Sequence, residues 1–228
     1  MINKSALNTF WREWRGFIAF IGLLIIFRGA VADWYTVPSG SMKPSIIEGD
    51  RVFVNKLAYG LRVPFSDVIL RQWGEPERGE IVVFYSPTDG MRLIKRVVGL
   101  PGDILELRDN KLSINGKAIE YSKSKRVYPA AIWHNEFGRD VIDETLGKHR
   151  HPIALTPANT LTEDFGPVTI PPDQYFMMGD NRHNSADSRV IGFVPRSLLL
   201  GRASYVVVSL DYENFYLPRS GRSFSKLP

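Results

Sequence analysis

A β-sheet core is indicated first by the run Met91-Arg92-Leu93-Ile94-Lys95-Arg96-Val97-Val98. In a strand, alternate side chains share a face, so Lys95 lies among apolar neighbours such as Leu93 and Val97, and Arg96 points the opposite way. Burial disfavours the ammonium ion, and a pKa shift from about 10.4 to about 8 requires roughly 3 kcal/mol of such destabilisation. Lys95 is therefore a candidate base, although an ordinary strand lysine that reaches solvent fits the same pattern.

Other short apolar runs bounded by turn residues predict further strands. They are Arg51–Asn55, Glu80–Tyr85, Gln174–Met178 and Ala203–Leu210, with a meander over Asp103–Leu107, Lys111–Ile114 and Lys117–Tyr121. Only Arg196–Leu200 favours a helix, and a short one. The chain after Tyr35 is therefore predicted to be mostly β.

Two regions depart from this pattern. Residues 122–167 mix proline, histidine, charge and short apolar pieces without a clear period, which predicts a small subdomain inserted between residues 35–121 and 168–211 of one β-domain. Residues 212–228 are basic and rich in serine and proline, and we expect a loosely held C-terminal tail there.

The apolar run Phe17–Phe27 near the N-terminus predicts a membrane helix over residues 16–34. A helix from Phe17 to Tyr35 would be about 28 Å long, close to the ~30 Å thickness of a bilayer core. Basic residues precede the run at Lys4, Arg12 and Arg15. The positive-inside rule then places residues 1–15 in the cytoplasm and everything after the helix outside. A cleaved signal peptide and a buried core helix are the alternatives.

Composition narrows the classes of function. The 228 residues include no cysteine, which excludes disulfides, thiolate catalysis and cysteine-based zinc sites. The formal net charge of +5 fits a solvated surface or attraction to anionic lipid. Nucleic-acid binding is not indicated, because no basic stripe with interleaved aromatic residues occurs.

A serine loop, Pro38-Ser39-Gly40-Ser41-Met42, follows the predicted membrane helix. Its proline and glycine predict a tight bend with backbone N–H groups free to face an oxyanion. Ser41 needs a base to become a nucleophile, and Lys95 can be that base. Gly179–Arg189 is a second polar segment and follows a predicted strand. Taken singly, each segment is also typical of an ordinary surface loop.

In order and spacing, these segments resemble those of bacterial type I signal peptidases, the membrane-bound leader peptidases. The matching segments are Pro38–Ser45, Gly49–Lys56, Arg78–Phe84, Ile94–Asp103, Gly179–Arg189 and Gly192–Pro195. The resemblance covers Asp33 to Leu210 apart from residues 122–167. It implies a coiled antiparallel β-sheet catalytic domain with a small inserted subdomain, preceded by one N-terminal transmembrane helix.

The resemblance also implies catalytic roles. Ser41 would attack the scissile carbonyl and form an acyl-enzyme, and Lys95 would take its proton and then activate water. Ser185 would hydrogen-bond to the Lys95 amine and orient it. The Ser41 N–H and the Ser39 hydroxyl would form the oxyanion hole.

Structural support and substrate pockets come from the same resemblance. Two ion pairs would hold the last polar segment against the lysine strand: Asp180 with Arg96, and Asp187 with Arg189. Small pockets for Ala-X-Ala-type residues would be formed by Tyr35, Val37, Met42, Ile46, Leu93 and Ile94. An extended substrate would add as a strand beside the one that carries Lys95.

The expected partners are the signal peptides of preproteins and the lipid bilayer, with no nucleic acid, no metal and no cofactor. The resemblance implies a monomer in the bacterial inner membrane, crossing it once, with its catalytic domain on the periplasmic side.

Several alternatives stay open. The same fold could serve a conjugation or secretion system as a dedicated peptidase. It could also be a catalytically silent membrane-anchored domain, or a self-cleaving Ser/Lys repressor. His183 occupies a place where some members of the family have Asp or Glu, which raises a Ser-His pairing as a further alternative to Lys95.

Overall fold

The computed structural model describes residues 4–64, 66, 68–126, 128, 130–133, 140–155 and 164–228. The predicted insertion is therefore described only in part, because residues 127, 129, 134–139 and 156–163 lie outside the described residues. The same holds for residues 1–3 of the predicted cytoplasmic tail.

Helix α1 (Lys4–Ala30) is followed at once by strand β1 (Ala32–Thr36). The prediction of a helix up to residue 34 is wrong at its C-terminal end. Strand β1 pairs antiparallel with β2 (Asp50–Asn55), and Ala32 lies opposite Asn55. This ladder satisfies backbone groups that a longer helix would have bonded within itself. Of the helices in the described part of the chain, none has the length and apolarity that crossing a bilayer requires.

The remaining elements are mostly strands. They are β3 (Gly60–Arg62), β4 (Ile69–Gln72), β5 (Ile81–Tyr85), β6 (Arg92–Gly99), β7 (Ile104–Arg108), β8 (Lys111–Ile114), β9 (Lys117–Ala118), β10 (Glu120–Lys123), β11 (Asp140–Leu146), β12 (His149–Leu155), β13 (Phe165–Thr169), β14 (Gln174–Met178), β15 (Val194–Pro195), β16 (Leu199–Asp211), β17 (Leu217–Pro218) and β18 (Ser225–Lys226). A short helix, α2 (Ser188–Ile191), precedes β15, and single 3₁₀ turns occur at Lys56–Ala58, Ala130–Trp133 and Arg196–Leu198. The predicted mostly-β class is confirmed.

The main sheet is curled and has the strand order β1-β2-β16-β5-β6-β14-β15, with β17 and β18 paired to β16. Its ladders are antiparallel. A second sheet, β13-β7-β8-β9, contains the predicted meander as far as Ala118. The prediction of one last strand over Lys117–Tyr121 is wrong, because Glu120 and Tyr121 belong to β10 in another sheet. Two further strands, β3 and β4, form a hairpin.

Strand β6 is covered on both faces. Leu93 and Val97 pack in one apolar cluster and Ile94 packs against another. Strand β14 pairs with β6 only from Arg96 to Gly99. Among the described residues, Arg92–Lys95 therefore has a neighbouring strand on one side only, which is β5.

The predicted insertion contains a regular three-stranded sheet, β10-β11-β12. Strands β11 and β12 form a hairpin joined by Gly147-Lys148, and Gly147 has a φ of 59°. A glycine at the first central position of a two-residue hairpin loop is typical of a type II′ turn. This signal was present in the sequence, although the strands around it lack an alternating pattern.

The expectation of a loose C-terminal tail is wrong. Strands β17 and β18 pair with β16, and Leu227 is buried in the core. The Arg222 guanidinium donates to the buried Asp50 carboxylate at 2.6 Å. Serine and proline are abundant here, but these long-range contacts still hold the segment on the sheet.

Candidate active site

Ser41 and Lys95 are 54 positions apart in sequence and in direct contact in the structure. The Lys95 Nζ lies 2.6 Å from the Ser41 Oγ and 3.1 Å from the Ile94 carbonyl oxygen. Both residues are buried. The geometry is that of a nucleophile and its base within hydrogen-bonding reach.

Burial lowers the pKa of Lys95 to about 8, and the carboxylates of Asp187 and Asp180 act in the opposite direction. No ion pair of Lys95 occurs among the described residues, so no adjacent anion cancels the cost of desolvation. A useful fraction of the amine is therefore neutral near pH 8 and can accept a proton.

The turn that carries Ser41 packs on an ion pair between Lys43 and Glu48. The Lys43 side chain is fully buried, and its Nζ lies 3.1 Å from the Glu48 Oε2. A Cβ at Gly40 would lie only 2.7 Å from the Glu48 Oε1 and 2.9 Å from the Lys43 Cε. A side chain at position 40 would displace the ends of these two side chains, so glycine lets the turn close over this ion pair.

Asn181 holds the turn that carries Ser41 through two hydrogen bonds. Its backbone N–H donates to the Ser41 carbonyl oxygen at 3.1 Å, and its Nδ2 donates to the Gly40 carbonyl oxygen at 3.0 Å. Sequence reasoning assigned no role to Asn181. The only signal was a carboxamide in the polar segment after β14, and its partners are distant in sequence.

The expected hydrogen bond from Ser185 to the Lys95 amine is absent from this structure. The Ser185 Oγ is buried and has no hydrogen-bond partner among the described residues. The Lys95 amine is directed to Ser41 and the Ile94 carbonyl instead. Ser185 is nevertheless next to the site, because a Cβ at Gly179 would lie 2.3 Å from the Ser185 Oγ and 2.4 Å from the Ser41 carbonyl oxygen.

Both predicted supporting ion pairs are present. Arg96 and Asp180 form a buried two-point pair with distances of 2.8 and 2.7 Å. Arg189 and Asp187 form another, with both distances 2.8 Å. The Asp187 Oδ2 also accepts from the Gly179 N–H at 3.0 Å. These contacts hold the loop after β14 in place beside the Lys95 strand.

Two potential donors face no acceptor within the described part of the chain. The Ser41 N–H forms no hydrogen bond there, and neither does the exposed Ser39 hydroxyl. Both are therefore free to donate to an oxyanion. The oxyanion hole that the resemblance implies stays a proposal.

A small cleft of about 40 Å³ lies at the one-sided part of β6. Four of the six predicted pocket residues line it: Tyr35, Val37, Leu93 and Ile94. The other two, Met42 and Ile46, are completely buried in the cluster beneath. Their prediction as pocket residues is therefore wrong, because they lie in the core and contribute no surface to the cleft.

His183 is directed away from this chemistry in the contact that the structure shows. Its Nε2 lies 3.0 Å from the Asn110 Oδ1, in the turn between β7 and β8. The described residues contain no group of three or more His, Cys, Asp or Glu arranged to hold a metal ion.

The family model described as signal peptidase, peptidase S26, matches residues 11–208. A signal peptidase I from Pseudomonas fluorescens is 35% identical over 220 residues, covering 91% of this chain and 75% of its own length. One from Rickettsia typhi is 36% identical over 228 residues, covering 90% of this chain and 82% of its own. A crystal structure of a signal peptidase I from Enterococcus faecalis is 32% identical and covers 56% of this chain and 96% of its own, with a TM-score of 0.34. On the family match and the two curated relatives, this chain belongs to the signal peptidase I family, peptidase S26.

Proposed function

We propose that the chain cleaves signal peptides from preproteins as a serine endopeptidase, with Ser41 as nucleophile and Lys95 as general base. The observation that carries the proposal is the 2.6 Å contact between the Lys95 Nζ and the Ser41 Oγ inside a buried site. Burial lowers the pKa of Lys95 to about 8, so the amine can accept the serine proton near neutral pH.

The proton balance needs only these two side chains. As the Ser41 Oγ attacks the scissile carbonyl carbon, its proton passes to the Lys95 Nζ. Lysine then returns the proton to the leaving amine, and an ester to Ser41 remains. A water molecule attacks the ester while giving a proton to Lys95, and that proton goes back to the Ser41 oxygen as the acid product leaves.

Ser185 has a place in the second half of this cycle. Once Ser41 is acylated, its oxygen is an ester oxygen and a weaker partner for the Lys95 amine. The Ser185 hydroxyl is buried without a partner among the described residues, which is costly, and we assign it to orienting Lys95 in the acyl-enzyme.

Substrate binding would use the one-sided part of β6. The backbone of Arg92–Lys95 can pair with an extended peptide on the side that β14 leaves open. The cleft of about 40 Å³ beside it has room only for a small side chain such as alanine. Both features favour cleavage after Ala-X-Ala-type sequences.

We further propose that α1 anchors the chain in the membrane. Its apolar side chains from Phe17 to Phe27 are largely exposed. Because the helix stops at Ala30, a crossing of about 30 Å would have to include Trp11 to Ala30. That stretch contains Arg12, Glu13, Arg15 and Arg28, so these charged side chains would have to reach the headgroups. The basic N-terminus would stay in the cytoplasm. Recovery of the protein in the soluble phase after a salt wash of membranes would contradict this placement.

Cleavage of a preprotein with an Ala-X-Ala site, in detergent, tests the proposed chemistry. Wild type should cleave it, and Ser41→Ala and Lys95→Arg should not. Retained cleavage by Ser41→Ala would contradict the nucleophile assignment. A panel of unrelated preproteins distinguishes general processing from service to one dedicated system, because a dedicated enzyme would accept few of them.

A further inference from the structure

The hairpin β11–β12 of the inserted sheet contacts the loop that follows β14. The Ala154 N–H donates to the Asp180 carbonyl oxygen at 2.8 Å, and the Arg182 N–H donates to the Ala154 carbonyl oxygen at 3.0 Å. The loop thus extends along β12 as a short parallel bridge. Two peptide groups that flank Asn181 are fixed in this way by the insertion.

A buried ion pair reinforces the same junction. Glu144 on β11 has no exposed side-chain surface, and its Oε1 accepts from the Arg182 Nη1 at 2.9 Å, while the Nη2 contacts the Oε2. Burial alone would raise the pKa of Glu144, but Arg182 and His151 together hold it well below its usual range. The carboxylate is therefore charged at any pH at which an exported protein works.

His151 closes the cluster from β12. Its Nε2 lies 3.2 Å from the Glu144 Oε2 and 3.9 Å from the Asp180 Oδ1. Burial, together with the nearby Arg96, lowers the pKa of His151, so the imidazole is neutral near pH 7. The negative charges of the Glu144 and Asp180 carboxylates then equal in number the positive charges of the Arg182 and Arg96 guanidinium groups. The cluster links the insertion to the Arg96–Asp180 pair.

The residue between the two anchored peptide groups is Asn181, which donates to the Ser41 and Gly40 carbonyl oxygens. We propose that Glu144 is a positioning residue, which acts through Arg182 and Asn181 to hold the nucleophile turn at the correct distance from Lys95. On this view the buried Glu144–Arg182 pair contributes to positioning, whereas the rest of the hairpin need not. The inference rests on the proposed function, in which Ser41 is the nucleophile.

A purely structural role for the ion pair makes a different prediction. Loss of stability lowers the fraction of folded enzyme, and it leaves the kcat of each folded molecule unchanged well below the unfolding temperature. Loss of positioning lowers kcat in molecules that are fully folded, because displacement of reacting groups by about 1 Å can cost about a hundredfold in rate. It leaves KM nearly unchanged, since no substrate contact is lost.

The test compares Glu144→Gln with Asp143→Asn in the full chain, in detergent, on a preprotein with an Ala-X-Ala site. Asp143 immediately precedes Glu144 on β11. It pairs with the half-exposed Arg150 at 3.0 Å, so it is a matched control. We expect kcat to fall about 10- to 100-fold in Glu144→Gln, with KM within about threefold of wild type, and Asp143→Asn to stay within about twofold. Assays are run well below the unfolding midpoint of each variant.

A second variant, Glu144→Met with Arg182→Met, covers the case in which Glu144→Gln fails to fold. Removing both charges of a buried pair is far less damaging than removing one. We expect the same loss of kcat, and a folded variant of either kind with wild-type kcat overturns the proposal. Failure of both variants to fold would assign the pair to stability and would overturn it as well. Ser41→Ala and wild type in the same assay isolate the proposed function, which fails if the variant cleaves or if the wild type does not.

Discussion

Lys95 and Arg96 are neighbouring cations on opposite faces of β6, and both are buried, yet their surroundings give them opposite chemistry. Arg96 meets the Asp180 carboxylate at two points and also donates to the Gly79 carbonyl oxygen at 2.6 Å. Lys95 meets a hydroxyl and a carbonyl oxygen and forms no ion pair in the described part of the chain.

The difference shows that burial alone does not decide what a cation does. Desolvation penalises both ions, but a paired guanidinium keeps its charge and braces a loop. An ammonium ion without an adjacent anion responds by a lower pKa, here about 8 for Lys95. On the proposed mechanism, one strand thus supplies a fixed structural charge at Arg96 and a titrating base at Lys95.

Among the variants that test this comparison, Lys95→Arg is expected to have the largest effect on the cleavage rate. The guanidinium stays protonated in proteins and cannot accept the Ser41 proton, so single-turnover cleavage should slow by about a thousandfold or more. Lys148→Arg, at an exposed lysine, should cleave at the wild-type rate. Cleavage by Lys95→Arg within tenfold of wild type would show that another group is the base.

Asp180→Asn tests whether the buried Arg96–Asp180 pair stabilises the fold. Asp180→Asn leaves the Arg96 guanidinium buried without a countercharge, and we expect the free energy of unfolding to fall by about 3–5 kcal/mol. Urea denaturation in a fixed detergent measures this loss. The exposed pair of Glu106 and Arg108 provides the control, since Glu106→Gln should cost less than about 1 kcal/mol. Equal losses in the two variants would contradict the assignment.

The pH profile of cleavage by the wild type tests the titration of Lys95. With the pKa of Lys95 at about 8, the neutral fraction of its amine rises about tenfold from pH 7 to pH 9, and kcat/KM should rise with it. Because this pKa lies below the unfolded value of 10.5, the unfolded chain binds more protons between these two values. The contribution of Lys95 to stability therefore increases with pH across that window. A flat profile from pH 7 to pH 9 would exclude Lys95 as the titrating base.

The smallest expected shift of the pH profile comes from Asp187, the carboxylate that partly stabilises the ammonium form of Lys95. Because Asp187 also pairs with the buried Arg189, its variant is assayed well below its unfolding midpoint. Asp187→Asn removes an anion that raises the pKa of Lys95, so the acid limb of the pH profile should move to lower pH. The rate at pH 7, relative to the plateau, should then increase by less than about tenfold. Glu106→Gln serves as the control and should leave the limb in place. A limb displaced to higher pH would contradict the electrostatic explanation.

Local pattern was sufficient to predict the strands around the site and to mark Ser41 and Lys95 as candidates, although each taken singly also fitted an ordinary residue. Strand β6 and its neighbours β5 and β14 follow from short apolar runs, and the alternation on β6 predicted an apolar setting for Lys95. The contact with Ser41 and the two ion pairs came from the resemblance to a family, because their partners are far apart in sequence. Both ion pairs are present as expected.

The features that sequence reasoning missed depend on long-range partners. Helix α1 ends early because β2 offers a ladder to Ala32–Thr36. Asn181 reads as a polar loop residue until the Ser41 turn is placed beside it. Glu144 carries no signal in the sequence, since its burial depends on Arg182 from the loop after β14. In each case the deciding group is a backbone or side chain that no local window contains.

The open edge of β6 also sets a condition on the shape of whatever binds there. Arg92–Lys95, which β14 does not cover, can pair only with a segment that is itself extended. A segment already held in a helix or sheet has its N–H and C=O groups satisfied and has none to offer. A peptide must therefore be locally unwound before its carbonyl reaches Ser41. If the substrate binds at this edge as proposed, selection there would favour extended junctions over folded domains, and small-residue sequences inside the structured parts of a mature protein would be spared.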